Sequence, residues 1–243
     1  WKYGHVDVFI AASHLIAKIL EDDGIPKSKI EVVHDGVNVS AIDHQPLVDA
    51  HGAFWLPKGA PLVGNVAALA DHKGQRYLIA AAKRVVRALP DTRFLIVGEG
   101  ELRGALERQI HELGLERHVT LTGFRPDVLG LMKSFDVFAM SSTTEGLGCG
   151  VLEAMACGTP VAAFPVTGPK DVIADHPVGA LDTDLRNACL RALTMSREAC
   201  RDFALERSWE NSARQFLGNL TALHPSRVLR PVRRARPRSA VQG

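Results

Sequence analysis

Glu145 and Glu153 stand eight residues apart, Gly146, Leu147 and Gly148 follow the first, and Gly158-Thr159-Pro160 closes the stretch behind the second. An apolar, strand-like run over residues 136–142 leads into them. The spacing sets the first carboxylate in a glycine-rich loop and the second on a short helix that the Gly-Thr-Pro run stops. Loop glycines let the backbone approach a ligand closely, and a helix start offers unpaired N–H groups and a positive dipole to an anion. Two acids beside a phosphate would repel it, so they read as acceptors for sugar hydroxyls. The combination suits a sugar nucleotide.

The same segment resembles the E-x7-E region of retaining glycosyltransferases of family 4, which have the GT-B fold. Glu-Gly-Leu-Gly and Leu-Glu-Ala-Met-Ala-Cys-Gly-Thr-Pro-Val both match, with the spacing of Glu145 and Glu153. The resemblance implies that Glu153 accepts from the ribose hydroxyls. It also implies that Glu145 faces the donor hexose, with the N–H groups of Gly146, Leu147 and Gly148 reaching sugar and phosphate.

Lys73-Gly74 follows the apolar run 61–68 and opens a helical pattern over Gln75–Ala88. It matches the Lys-Gly that the family uses on the diphosphate, where negative charge grows as the bond to the anomeric carbon breaks and a fixed cation lowers the barrier. A surface lysine at a helix start is the plainer alternative. The family's second phosphate cation, an arginine five positions earlier, is replaced by Ala68; His72, Arg76 and Arg125 are the candidates to compensate. Phe124 and Arg125 follow another strand pattern, Val119–Gly123, and match family positions that contact the nucleobase; a ring packed on the domain is the competing reading of Phe124. Gly98 belongs to a Gly-Glu-Gly turn that lacks the third glycine of a dinucleotide fingerprint, since Arg103 stands there. It reads as architecture first and donor contact second. Gly168-Pro169 follows the apolar run 160–165, and its loop is expected to border the donor sugar.

The resemblance implies retention by leaving-group-assisted attack on one face of the sugar, without a metal or other cofactor. The substrate is then a UDP- or GDP-linked sugar and the acceptor a saccharide or a lipid-linked acceptor. Two other readings stay open: a GT-B epimerase acting on a sugar nucleotide, and a nucleotide-binding fragment without catalysis.

The elements that must position these residues alternate along the chain. Apolar runs at 6–12, 30–34, 61–68, 93–98, 119–123, 136–141 and 160–165 are separated by helical patterns such as 75–88, 101–113 and 128–134. Such alternation predicts an α/β fold with a parallel sheet. Residues 57–206 read as a Rossmann-like donor-binding domain of GT-B type. Residues 1–45 read as a remnant of the N-terminal acceptor domain, 207–224 as a terminal crossover helix, and 225–243 as an Arg/Pro-rich disordered tail. The chain opens on Trp1 rather than Met, and we expect further sequence upstream.

With 46% hydrophobic and 23% charged residues, the composition is that of an ordinary globular protein. No run approaches the roughly 20 apolar residues of a membrane span. The four cysteines form no CxxC pair and the ten histidines no HExxH, so a metal site is not expected, and the thiols read as buried in a reducing compartment. Six arginines and no acid lie beyond Pro225, leaving 23 basic against 27 acidic residues elsewhere. A cytoplasmic location is expected, with the tail suited to peripheral contact with the anionic inner membrane face. Nucleic acid is not an expected partner.

Overall fold

The computed structural model describes residues 5–146, 148–174 and 176–223. Leu147 and the basic tail lie outside the described residues. The chain begins with β1 (Phe9–Ala11), α1 (His14–Asp22) and β2 (Ile30–Val32), a parallel pair in which Phe9 faces Ile30 and Ala11 faces Val32. Two short helices, α2 (Val39–Asp43) and α3 (Ala50–Ala53), lead into the main sheet.

That sheet is built from β3 (Leu62–Val66), β4 (Arg93–Val97), β5 (Val119–Gly123), β6 (Val137–Met140), β7 (Val161–Ala163) and β8 (Gly179–Leu181). Its spatial order is β5-β4-β3-β6-β7-β8, with every pairing parallel. The order of connection therefore reverses between β3 and β6. Open α/β sheets bind ligands at such a switch point, beyond the carboxyl ends of the strands.

Strand side chains alternate between two cores. Leu62, Leu95, Val97, Phe138 and Met140 enter one, and Val63, Phe94, Ile96, Val137 and Ala139 enter the other. Helices α6 (Val128–Met132), α7 (Cys149–Ala156), α8 (Thr167–Ile173) and α10 (Arg197–Leu205) cover the first face through residues such as Leu131, Val151, Met155, Ile173 and Phe203. The second face is covered by α4 (Gln75–Ala88), α5 (Arg103–Glu112) and α9 (Leu185–Ala192), through Leu78, Val85, Leu106, Ile110 and Ala188. Burial on both faces is why these strands read as continuous apolar runs rather than alternating ones.

The last helix, α11 (Trp209–Leu223), returns to the opening unit. Val37 N donates to Arg207 O at 3.0 Å, Trp209 N to Val37 O at 3.2 Å, and Ser212 Oγ to His34 O at 2.6 Å. Trp209 and Phe216 remain about half exposed on it. No helix among the described residues is long and apolar enough to cross a membrane.

The structure adds elements that the sequence pattern did not suggest. Strand β8 is three residues long and starts on a glycine, too short to carry a period. Helices α8, α9 and α10 are short pieces whose pattern is broken by intervening loops. Strands β1, β2 and β7 are also shorter than the apolar runs 6–12, 30–34 and 160–165 that contain them.

Candidate active site

Lys73 and Glu145 reach the site from opposite sides of the switch point. Beyond β3 the chain makes a 3-10 turn over Asp71–Lys73 and enters α4 through Gly74, whose φ of +64° lies in the left-handed region. A Cβ there would strike the carbonyl oxygen of Ser141, just past β6. Glycine thus allows the two post-strand loops to touch, and polar bonds stitch them. Ser141 Oγ donates to Lys73 O at 2.8 Å and Thr143 N to His72 O at 2.9 Å.

The result is one compact polar group. Lys73 Nζ donates to Glu145 Oε1 at 2.6 Å, and Ser142 Oγ donates to the same oxygen at 2.7 Å. Only 24% of the Lys73 side chain and 13% of the Glu145 side chain are exposed. A pair this sheltered is screened less by salt than a surface pair. Beside it lies a cavity of about 320 Å³, lined by Asn65, Val66, Ala67, Ala68, Phe138, Met140, Ser142, Gly148, Cys149 and Gly150 together with the pair itself.

A larger groove of about 1230 Å³ continues from the other side of Glu145. Thr143 and Thr144 form one wall, Val166, Thr167 and Lys170 a second, and His14, Leu15 and Lys18 of α1 a third. His14 N donates to Asp171 Oδ2 at 2.9 Å, which fixes α1 against α8. Glu145 thus lines both the small cavity and the open groove.

Helix α7 begins at the small cavity and carries Glu153 on a half-buried face. Among the described residues no hydrogen bond or ion pair engages the Glu153 carboxylate, and burial raises its pKa above the ordinary 4.5. Cys157 N to Glu153 O at 3.0 Å and Thr159 N to Ala154 O at 2.9 Å then end the helix. Thr159 Oγ1 locks that turn onto Met132 O at 2.9 Å.

The remaining sequence candidates are placed less uniformly. Gly146 is exposed in the loop after Glu145, and Gly148 is buried on the cavity wall. Gly98, with φ +139°, donates its N–H to Gly123 O at 2.9 Å, and a Cβ on it would collide with Ala67 O. It holds the loops after β3, β4 and β5 together and lines neither cavity nor groove. Gly168 is buried in the first turn of α8, while its neighbours Thr167 and Lys170 face the groove.

Phe124 is 76% exposed, so its ring is not packed on the domain, and the plainer reading of this residue does not hold. Arg125 is held by Asp127 through Nε at 2.8 Å and Nη2 at 2.6 Å, with its guanidinium 5.6 Å from the centre of the Phe54 ring. This hydrogen-bonded fork raises the Arg125 pKa and lowers that of Asp127.

Two expectations are corrected. Arg76 is turned to Asp71 at 2.5 Å and Arg125 to Asp127, and neither they nor His72 line the cavity beside Ala68, so none of the three fills the place of the missing arginine. The cysteines are all free, but Cys149 is exposed and Cys157 half-buried; only Cys189 and Cys200 are fully buried. Cys149 opens α7 and lines the cavity. Among the described residues no cluster of three or more His, Cys, Asp or Glu side chains could hold a metal ion.

Sequence reasoning also missed Ser142, which donates to the same Glu145 oxygen as Lys73. A polar Asn inside the Leu-Val-Gly-Asn-Val strand signals a buried, hydrogen-bonded amide, and Asn65 Nδ2 donates to Ala139 O of the neighbouring central strand.

A family model described as glycosyl transferases group 1 matches residues 51–184. Among curated proteins, the chain is 36% identical over 155 residues to 2-deoxystreptamine glucosyltransferase of Streptomyces kanamyceticus, covering 62% of this chain and 40% of that protein. It is 30% identical over 225 residues to D-inositol 3-phosphate glycosyltransferase of Corynebacterium urealyticum, covering 83% and 53%. The chain thus spans about two-fifths to one-half of these relatives. The crystal structure of Anabaena HepE in complex with UDP superposes with a TM-score of 0.78 at 23% identity, covering 89% of this chain and 64% of that one. The α/β architecture with its six-stranded parallel sheet is that of the GT-B glycosyltransferases.

Proposed function

The chain belongs to the glycosyl transferases group 1, and we propose that it is the donor-binding part of an enzyme that transfers a sugar from a nucleotide sugar with retention of configuration. The ion pair of Lys73 and Glu145 at the switch point carries this reading. In it, Lys73 meets the diphosphate, the N–H groups that open α7 assist, and Glu153 takes the two ribose hydroxyls. Glu145 faces the hexose, and Phe124 and Arg125 border the base. The exposed Phe124 ring and the unpartnered Glu153 carboxylate are consistent with these roles.

The chemistry follows from charge. As the anomeric carbon–oxygen bond breaks, negative charge collects on the leaving phosphate, where Lys73 is already aimed by Glu145 and needs no reorganisation. The acceptor hydroxyl forms its new bond on the same face and gives its proton to a leaving phosphate oxygen. Configuration is retained. The groove between α1 and α8 is the side from which the acceptor approaches. The acceptor is a saccharide or a lipid-linked acceptor. The relatives' names give 2-deoxystreptamine and D-inositol 3-phosphate for those proteins. UDP is the first base to test, because HepE has been crystallised with UDP and with UDP-glucose.

Calorimetric titration with UDP, GDP, ADP and their hexose conjugates tests the reading. Saturable binding of one nucleoside diphosphate, competed by its sugar conjugate, is the expected result. No binding of any of them to the folded protein would overturn it.

A further inference from the structure

Ser142 lies just beyond β6 and is 3% exposed. Its Oγ donates to Glu145 Oε1 at 2.7 Å, and Lys73 Nζ donates to the same oxygen at 2.6 Å. A carboxylate oxygen offers about two lone-pair sites, so these donors occupy Oε1 in full. Oε2 accepts no hydrogen bond among the described residues, and it is not closed off from solvent. The carboxylate is thus split into a tethered oxygen and a free one, on a side chain that lines both cavity and groove.

The two tethers differ in kind. Lys73 reaches Glu145 through a flexible stem that ends in a rotating ammonium, and the last torsion of a glutamate side chain is itself soft. Held by the lysine alone, the carboxylate could swing while keeping its ion pair. Ser142 has one short rotor, and its chain neighbours are pinned on either side. Ser141 Oγ donates to Lys73 O at 2.8 Å, and Thr143 N donates to His72 O at 2.9 Å. A second donor from a fixed point sets the direction in which the carboxylate faces. The adjacent serines therefore divide the work, Ser141 anchoring the main chain of Lys73 and Ser142 the head group of Glu145.

We propose that Ser142 is a positioning residue for hexose recognition, holding the Glu145 carboxylate so that Oε2 is presented to a hydroxyl of the donor sugar. The assignment rests on the nucleotide-sugar reading given above. An ionised phosphate offers only acceptors and is repelled by Oε2, whereas a sugar hydroxyl supplies the proton that Oε2 lacks. The effect of Ser142 therefore falls on the sugar and not on the diphosphate.

The test measures the affinity of UDP-glucose relative to UDP, with GDP-mannose and GDP in parallel, for the native chain, Ser142→Ala, Ser142→Thr and Ser141→Ala. The ratio is expected to fall about fivefold in Ser142→Ala, the effect of one hydrogen bond. Ser142→Thr keeps the donor and should hold the native ratio. Ser141→Ala loosens the main chain under Lys73 and should weaken both ligands alike. If Ser142→Ala does not fold, Ser142→Cys keeps the shape with a weak donor, and the same fall is expected. An unchanged ratio in the folded variant, with UDP still bound, overturns the Ser142 assignment alone. An equal loss of both ligands also overturns it, since Ser142 would then support the loop in the manner of Ser141. Failure of the native chain to bind either nucleotide overturns the nucleotide-sugar reading and the assignment with it.

Discussion

Lys73 Nζ and Glu145 Oε1 lie 2.6 Å apart although 72 positions separate them in the chain. Each follows one of the two central strands, and the loops that carry them are joined through Ser141 and Thr143. The cation is therefore held in place before any ligand arrives. Lys73→Ala should weaken binding of a nucleoside diphosphate about ten- to hundredfold, since a hydrogen bond to a charged group contributes about 1.5–3 kcal/mol. Titration of native and variant chains decides; affinities within twofold of each other would remove Lys73 from the phosphate site.

Glu153 supplies a pH signature. Burial raises its carboxyl above 4.5. A raised acid contributes stability below 4.5 and loses it as pH rises through the raised value, because the ionised form is the disfavoured one in the fold. Hydrogen bonds from ribose hydroxyls favour that ionised form. Bound nucleotide should thus lower the pKa, release protons, and bind more weakly as pH falls through the raised value. Glu153→Gln should flatten this slope and lose about tenfold in affinity at neutral pH. A slope that survives in the variant would assign the titration to another group.

Cys149 gives a reporter for the cavity. It is the exposed thiol of the four, with a pKa raised first by burial and then by Asp35 and Glu153. Cys157 and Cys200 are pushed to about 11 and Cys189 to about 12 by burial. Alkylation depends on the thiolate, so native protein should label at Cys149 first, slowly at neutral pH and faster as pH rises past 9, its ordinary value. Bound UDP-glucose should slow it several-fold. Mass spectrometry of the labelled chain would expose the error if another cysteine led, or if ligand gave no protection.

Ala68 lines the cavity, and Ala68 O accepts from Gln75 Nε2 at 2.9 Å. In the proposed reading its methyl group leaves Lys73 as the cation that lines the cavity among the described residues. Ala68→Arg should tighten nucleoside diphosphate binding about tenfold at low ionic strength and steepen its dependence on salt. Equal affinity in a folded variant would mean that the arginine cannot turn into the cavity.

Gly74→Ala tests the joint between the two loops. A left-handed alanine costs about 1–2 kcal/mol, and its Cβ would press on Ser141 O. A fall in Tm of roughly 2–8 °C is expected for a chain of this size, together with weaker diphosphate binding as Lys73 is displaced. Thermal unfolding unchanged from the native chain would contradict the close approach.

Much of this protein was fixed by its sequence. The runs around Leu62, Phe94, Val119, Val137 and Val161 specify parallel strands because burial on both faces demands continuous apolar residues. The spacing of Glu145 and Glu153 and the Gly-Thr-Pro stop mark the loop and α7, because helix ends have local chemistry. What depends on packing was not legible. Three-residue β8 forms because β7 offers it a partner edge, not because Gly-Ala-Leu favours a strand. Arg76 and Arg125 were equal candidates to replace the missing arginine until their carboxylate partners, Asp71 and Asp127, were located. Only the order of strands brings Lys73 to Glu145 and Asn65 to Ala139. Contacts across 72 or 74 positions are decided by the sheet as a whole, and no local preference encodes them.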